Sequence, residues 1–244
     1  MIFRNKGRCP ICECEVEFYS EHEWFRDHYQ CPRCRSIPRE RALFVAIELF
    51  YPQWRSLRIH ESSPCDRGVS RKLRNECPGY VGSQFYSDSP LGIVHRDGFR
   101  CEDLENLTFE NESFDLMVTQ DVMEHVLDPT RAFAEIARTL KPKGAHIFTV
   151  PLVKSNTPSE SRAKRAKNGA TVYLCPPEYH DNFSSISEGS LVCTDWGYDI
   201  SEFIFKASGL YTTVLYIDDI SRGIRAELIE VLVSKKSGTQ NPRF

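Results

Sequence analysis

The chain has 244 residues, 41% of them hydrophobic and 27% charged, with a formal net charge of −3. That apolar fraction excludes global disorder, and the length allows a sizeable core without disulfide support. No apolar run reaches the roughly 18 residues of a membrane span, the opening MIFRNKGRCP lacks the apolar stretch of a secretory signal, and the near-neutral charge argues against a general nucleic-acid coat while leaving room for a local basic patch.

Ten cysteines are many for a chain with no export signal. In the cytoplasmic setting expected here they read as metal ligands or buried thiols rather than disulfides. Residues 1–38 hold five of them. Cys9-Pro-Ile-Cys12 and Cys31-Pro-Arg-Cys34 are two CxxC pairs separated by 18 residues. That spacing matches a four-cysteine structural zinc site in a small ribbon-like module, with no ligand position left for water. Cys14, His22 and His28 are competing ligands, and a redox CxxC is the alternative. Cys65, Cys77, Cys101, Cys175 and Cys193 are scattered singly and read as buried small hydrophobes.

From residue 39 onward a helix is followed by alternating strands and helices. Leu57–Glu61 is a short strand. Ser63-Pro64-Cys65-Asp66 predicts a helix start, with Ser63 as the cap and Pro64 at the first helical position. Val69 and Leu73 share that helix's apolar face, and Pro78-Gly79 stops it. Tyr80–Phe85 and Phe99–Cys101 are predicted strands. Phe114–Thr119 is a continuous apolar run, as expected for a strand covered on both faces. Asp128-Pro129 opens the clearest helix, ended by Lys141-Pro142-Lys143-Gly144, and Ala145–Val150 is the next strand. A long polar segment follows, then a helix over Ile200–Ala207 and strands over Leu210–Ile217 and Leu228–Ser234. Residues 235–244 read as a frayed tail. This alternation predicts an α/β fold, doubly wound around a mostly parallel sheet, with ligands at the carboxyl ends of the strands.

Those strand ends carry Glu61, Gln84, Asp103 and Gln120. The stretch EDLENLTFENESFDLMVTQDVMEHVLDPTRAFAEIARTLKPKGAHIFTVP, residues 102–151, resembles the corresponding segment of class I S-adenosylmethionine-dependent methyltransferases of the type-11 kind. With weaker flanking matches the resemblance covers residues 55–153, and the chain beyond 38 is expected to form one such domain. It implies a seven-stranded Rossmann-like sheet and S-adenosylmethionine as cofactor. It also implies roles for individual residues: Glu61 toward the methionine amino group, Ser63 in the first loop, Gln84 toward the ribose, Asp103 toward the adenine amino group with Leu104 beside it, and Gln120 on the methionine or substrate side. Two features depart from the family pattern. Ser62-Ser63-Pro64-Cys65 replaces the usual Gly-x-Gly turn, and Gln84 replaces the usual acidic residue. Asp121, Glu124 and His125 have a spacing similar to a magnesium motif of some quinone-ring O-methyltransferases.

Residues 154–199 read as a lid or substrate segment. Lys154, Arg162, Lys164, Arg165 and Lys167 face only Glu160 in sequence, which suits an anionic acceptor. In the turn Tyr179–Asn182, His180 is a candidate base and Tyr179 a positioning group. Trp196 reads as core. The leading expectation is a methyltransferase acting on a small or carrier-linked acceptor. An RNA base methyltransferase and a non-catalytic zinc-module interaction protein are the alternatives. No membrane partner is expected.

Overall fold

A computed structural model of the chain describes residues 3–166, 168–180 and 189–238. The first element is an antiparallel hairpin, β1 (Phe3–Arg8) and β2 (Glu15–Ser20), whose turn is the first CxxC segment. A single helical turn, α1 (Phe25–His28), leads to the second CxxC segment and then to α2 (Pro38–Phe50). Pro38 occupies the first helical position, where its missing N–H costs nothing, and the Glu40 carboxylate accepts from the Ile37 amide at 3.3 Å.

The central sheet begins with β3 (Ile59–Ser62). After α3 (Gly68–Glu76) come β4 (Tyr80–Gln84), β5 (Arg100–Cys101) and β6 (Phe114–Gln120). Helix α4 (Pro129–Thr139) returns the chain to β7 (Leu140–Thr149). Six short strands then form three small antiparallel ribbons: β8 (Glu160–Ser161) with β13 (Thr194–Asp195), β9 (Ala163–Arg165) with β10 (Thr171–Tyr173), and β11 (Tyr179–His180) with β12 (Ser190–Leu191). Helix α5 (Ile200–Ser208), β14 (Tyr211–Leu215) and β15 (Val231–Lys235) complete the fold. The sheet order is β14-β15-β7-β6-β3-β4-β5. Neighbours from β7 through β5 are parallel, and β15 runs antiparallel to both β7 and β14. The expected seven-stranded, mostly parallel, Rossmann-like sheet is present.

Alternation along each strand divides the core into two layers. Leu116, Val118, Ala145, Ile147, Val231 and Val233 face α2, α3 and the cysteine module. Met117, Phe148 and Leu232 face α4 and α5, where Phe133, Ile136, Trp196, Ile200 and Ile204 pack. Trp196 is core, as expected, with its indole N–H on the Met123 carbonyl at 3.2 Å. Cys9, Phe18, Tyr29 and Cys31 belong to the first layer, so the cysteine module shares its core with the sheet.

The helix expected from Ser63 begins instead at Gly68, and Arg67 precedes it without a side-chain cap. Ser63 has φ of 57°, a left-handed conformation incompatible with a helix start, and spends its amide on the Ser83 carbonyl at 2.8 Å. Gly68 has φ of 49°, and a Cβ there would overlap the Glu40 carboxylate. Strand β7 starts at Leu140, through the Lys-Pro-Lys-Gly stretch that was expected to separate helix from strand, with an irregular register opposite Phe114–Leu116. Lys167, Asp181, Asn182 and residues 239–244 lie outside the described residues.

Candidate functional site

The four cysteines of the two CxxC pairs converge. Their sulfurs all lie within 4.8 Å of one another, with Cys9–Cys34 at 3.6 Å and Cys12–Cys31 at 3.8 Å. A tetrahedral ion with bonds of about 2.3 Å spaces its sulfurs about 3.8 Å apart, so this arrangement has the dimensions of a zinc tetrathiolate. The two halves repeat one backbone device. Glu13 N donates to Cys9 O and Cys9 N to Cys14 O; Arg35 N donates to Cys31 O and Cys31 N to Ser36 O, all at 2.8–3.0 Å. Glu13 and Arg35 occupy equivalent positions with φ of 60° and 62°. Cys14, a competing candidate, turns its thiol to the Cys12 carbonyl at 3.2 Å. The His22 and His28 rings lie against each other, tilted at 33° with 4.5 Å between centroids, and are not members of the four-sulfur cluster.

Arg41, fully buried, braces this module. It donates to the carbonyls of Ser36, Tyr29 and Gly223, the last two at 2.6–2.8 Å. Its neighbours on α2 are equally committed. Glu40 accepts from Arg67 Nε at 2.9 Å. Arg39 Nε and Arg26 reach Asp121 Oδ2 at 2.6 and 2.8 Å. Asp121 also accepts from Thr149 Oγ1 at 3.0 Å. Burial works to raise the Asp121 pKa, but the charges of Arg26 and Arg39 prevail and hold it at about 2. Three consecutive charged residues thus tie the module, the loop before α3 and the end of β6 together. Nothing in the local sequence pattern announced Arg26, Arg39 or Arg41 as buried. The one clue was a run of three charges immediately after a helix-starting proline.

At the end of β3, Glu61 is fully buried and both its oxygens are occupied. Oε1 accepts from Ser70 at 2.7 Å and Gln120 at 2.8 Å, and Oε2 accepts from the Tyr80 hydroxyl at 2.8 Å. Burial raises its pKa against those three bonds. Glu61 and Gln120, both expected on the methionine side, are thus engaged with each other. Ser70 and Tyr80 complete a network that sequence reasoning missed, because Ser70 sits inside a helix and Tyr80 at a strand start with no motif around them. Ser63 turns the chain directly after this strand. Gln84 is half-buried at the end of β4.

Asp103, beyond β5, is half-buried. One of its carboxylate oxygens accepts the Glu105 amide at 2.9 Å, and burial raises its pKa. Leu104 points into the core layer beneath α4. Preceding Asp103, Glu102 is buried against Arg100 and Thr108, which fixes the turn.

The loop after β6 contributes a second cluster. Glu124, His125 and His180 bring one ligand-capable atom each within 4.8 Å of the others. Glu124 is 2% exposed, its Oε2 has no hydrogen-bond partner among the described residues, and burial pushes its pKa up to about 8. His125 Nδ1 faces the Leu191 carbonyl at 2.8 Å. Asp121 is kept out of this cluster by its two arginines.

The polar segment after β7 is less positive in space than in sequence. Lys154 pairs with Glu160 at 2.7 Å, Arg162 with Asp195 at 2.9 Å and Glu178 at 3.0 Å, and Arg165 with Glu105 at 2.9 Å. Of the four basic residues described there, Lys154, Arg162 and Arg165 are matched, the last two by acids beyond that stretch. Tyr179 and His180 are both exposed, on β11.

Residues 86–148 match the family described as "Methyltransferase domain". Over 65 residues the chain is 36% identical to the glycine/sarcosine/dimethylglycine N-methyltransferase of Actinopolyspora halophila, covering 27% of this chain and 12% of that protein. Over 51 residues it is 35% identical to a ubiquinone biosynthesis O-methyltransferase of Coxiella burnetii, covering 21% of this chain and 22% of that protein. The chain therefore spans under a quarter of the length of either curated relative. Among solved structures, an S-adenosylmethionine-dependent methyltransferase from Mesorhizobium loti superposes with a TM-score of 0.51 at 17% identity, over 80% of this chain and 97% of the other. The fold is that of these methyltransferases.

Proposed function

We propose that the protein is an S-adenosylmethionine-dependent methyltransferase with a structural zinc in its N-terminal module. The observation that carries the reading is the half-buried Asp103 carboxylate at the end of β5, inside the matched segment 86–148, on a sheet of this strand order. S-adenosylmethionine, when bound, supplies an electrophilic methyl group on its sulfonium.

The donor chemistry of the strand ends fits that group. Asp103 keeps a second oxygen beyond its turn, able to accept from an amine. Gln84 offers an amide to hydroxyls. Ser63 adopts the left-handed backbone that glycine ordinarily supplies in such loops, which answers the missing Gly-x-Gly. Glu61, held by three side chains, fixes the floor of the site and orients Gln120. Tyr179 and His180 border the acceptor side, and transfer to a good nucleophile depends chiefly on alignment. The acceptor class we favour is a small or carrier-linked molecule. The pairing of Lys154, Arg162 and Arg165 with acids weighs against a long nucleic-acid strand along this segment. No helix among the described residues is long and apolar enough to cross a membrane, and ten cysteines without a disulfide among them suit a reducing, cytoplasmic setting.

Calorimetry with S-adenosylmethionine and S-adenosylhomocysteine on zinc-replete protein tests the reading. One-to-one binding is expected, and no measurable binding of either would overturn it.

A further inference from the structure

We infer that Glu124, His125 and His180 form a second metal site, separate from the cysteine cluster, that takes a divalent transition ion through one oxygen and two imidazole nitrogens. Three independent features converge there. The first is a buried carboxylate with an oxygen that nothing in the described protein satisfies. Native structures rarely leave such a group unpaired, because its desolvation then goes uncompensated. The carboxylate's other oxygen, Oε1, lies 3.8 Å from His125 Nε2, so a cation seated between the two side chains would meet this carboxylate.

The second feature is the tautomer of His125. A backbone carbonyl can only accept, so Nδ1, 2.8 Å from Leu191 O, carries the proton. The lone pair is then on Nε2, which lies 3.8 Å from Glu124 Oε1. A ring held through one N–H on a carbonyl, with its other nitrogen turned to a carboxylate, is the arrangement of metal-ligating histidines.

The third feature is His180. It reaches this cluster from a different element: β11 is held against β12 at His180–Ser190 and Tyr179–Leu191, and Leu191 is the residue that orients His125. One short ribbon therefore both sets the tautomer of one histidine and delivers the other. The two rings stand 5.5 Å apart at 89°. Ligands bound at about 2.1 Å sit roughly 3.0–3.4 Å from each other, so a movement of about 1 Å by the exposed His180 closes the set. Glu178 Oε1, 3.6 Å from His180 Nε2, borders the opening.

Two imidazoles and one carboxylate suit zinc, iron, cobalt or nickel, whereas magnesium prefers all-oxygen sets. Three protein ligands leave positions open for water or an oxygen-bearing ligand. That the opening faces the methyl acceptor rests on the methyltransferase reading; the binding of the ion does not.

The test uses full-length protein carrying only the metal its cysteines retain after passage over chelating resin. Cobalt(II) and magnesium are titrated by calorimetry, with absorbance followed in parallel. One cobalt per chain is expected, without new thiolate-to-cobalt absorption and at least about 100-fold tighter than magnesium. Glu124→Gln and His180→Ala should each weaken cobalt by about 100-fold or more, beyond what losing a hydrogen bond to a ligand costs. Far-UV circular dichroism confirms that both variants fold; Gln is isosteric, and His180 is exposed. No cobalt uptake, uptake unchanged in both variants, or magnesium bound as tightly would each overturn the site. S-adenosylhomocysteine binding is measured separately. Its absence alongside intact cobalt binding would sink the methyltransferase reading alone, and the converse would sink only the metal site.

Discussion

Asp121→Asn removes one charge from a buried cluster in which Arg26, Arg39 and Asp121 have side chains only 8%, 10% and 15% exposed. The substitution keeps shape and leaves two guanidinium groups facing a neutral amide. Breaking a buried pair by removing one partner costs about 3–5 kcal/mol, because the remaining charge is left uncompensated. The pKa of Asp121 points the same way: despite its burial, the charges of Arg26 and Arg39 hold its carboxyl below the ordinary value, which favours the folded, ionised form. At about 2–4 °C per kcal/mol for a chain of this size, the midpoint of thermal unfolding should fall by about 6–20 °C at pH 7. Since the folded pKa is depressed, the contribution is complete above about pH 4 and is lost as pH falls through about 2. Wild type and variant should therefore converge in strong acid. Adding Arg39→Met to Asp121→Asn should recover part of the loss, with a coupling of about 0.5–3 kcal/mol. A midpoint change under about 2 °C at neutral pH, or strictly additive effects in the double variant, would refute the claim that these charges hold the module to the sheet.

Removing the metal from the cysteine cluster, by chelation or by Cys31→Ser, should unfold the hairpin and its surroundings, since binding energy at such a site is folding energy; metal analysis finding well under one zinc per chain, with Cys9, Cys12, Cys31 and Cys34 freely reactive, would count against it. Asp103→Ala should weaken S-adenosylhomocysteine binding by about 1–3 kcal/mol, and an unchanged dissociation constant would remove Asp103 from the cofactor site. His60 and His146 are fully buried, and desolvation lowers both pKa values to about 3. Their contribution to stability is present above about pH 6.5 and is lost as pH falls toward 3, at about 1.4 kcal/mol per pH unit for each. His146→Leu should make denaturant-derived stability roughly half as steep in pH over that window, and an unchanged slope would show that His146 does not titrate on unfolding.

The sheet was readable where residue pattern and local physics coincide. Phe114–Thr119 reads as a strand covered on both faces, as the structure has it, and Asp128-Pro129 marked a helix start that the structure places at Pro129 with Asp128 accepting from Arg131 N. The CxxC pairs were legible because ligand spacing is a local property. The first loop was misread because Ser63-Pro64 has the composition of a helix cap, while tertiary packing of Gly68 against Glu40 moves the helix four residues on. The charge on the polar segment after β7 was overread for a related reason. Glu105 and Asp195 lie far from Arg165 and Arg162 in sequence, and only the fold pairs them. Glu124 with His180 was invisible in the same way: 56 positions separate them, and no spacing rule links the loop after β6 to a ribbon that lies beyond α4, β7, β8, β9 and β10.

Strand β15 has a consequence for how the molecule assembles. It lies between β7 and β14, with Val231 opposite Thr149, so a segment 82 positions downstream must insert before either neighbour is fully paired. Val231 and Val233 fill one core layer and Leu232 the other, so neither layer is sealed until residues 231–235 arrive. A sheet finished by so distant a contact folds slowly, and its half-built form exposes an open β7 edge to other chains. Productive yield should therefore be limited by how fast this insertion outpaces association, and refolding at low protein concentration should recover more native protein than refolding at high concentration.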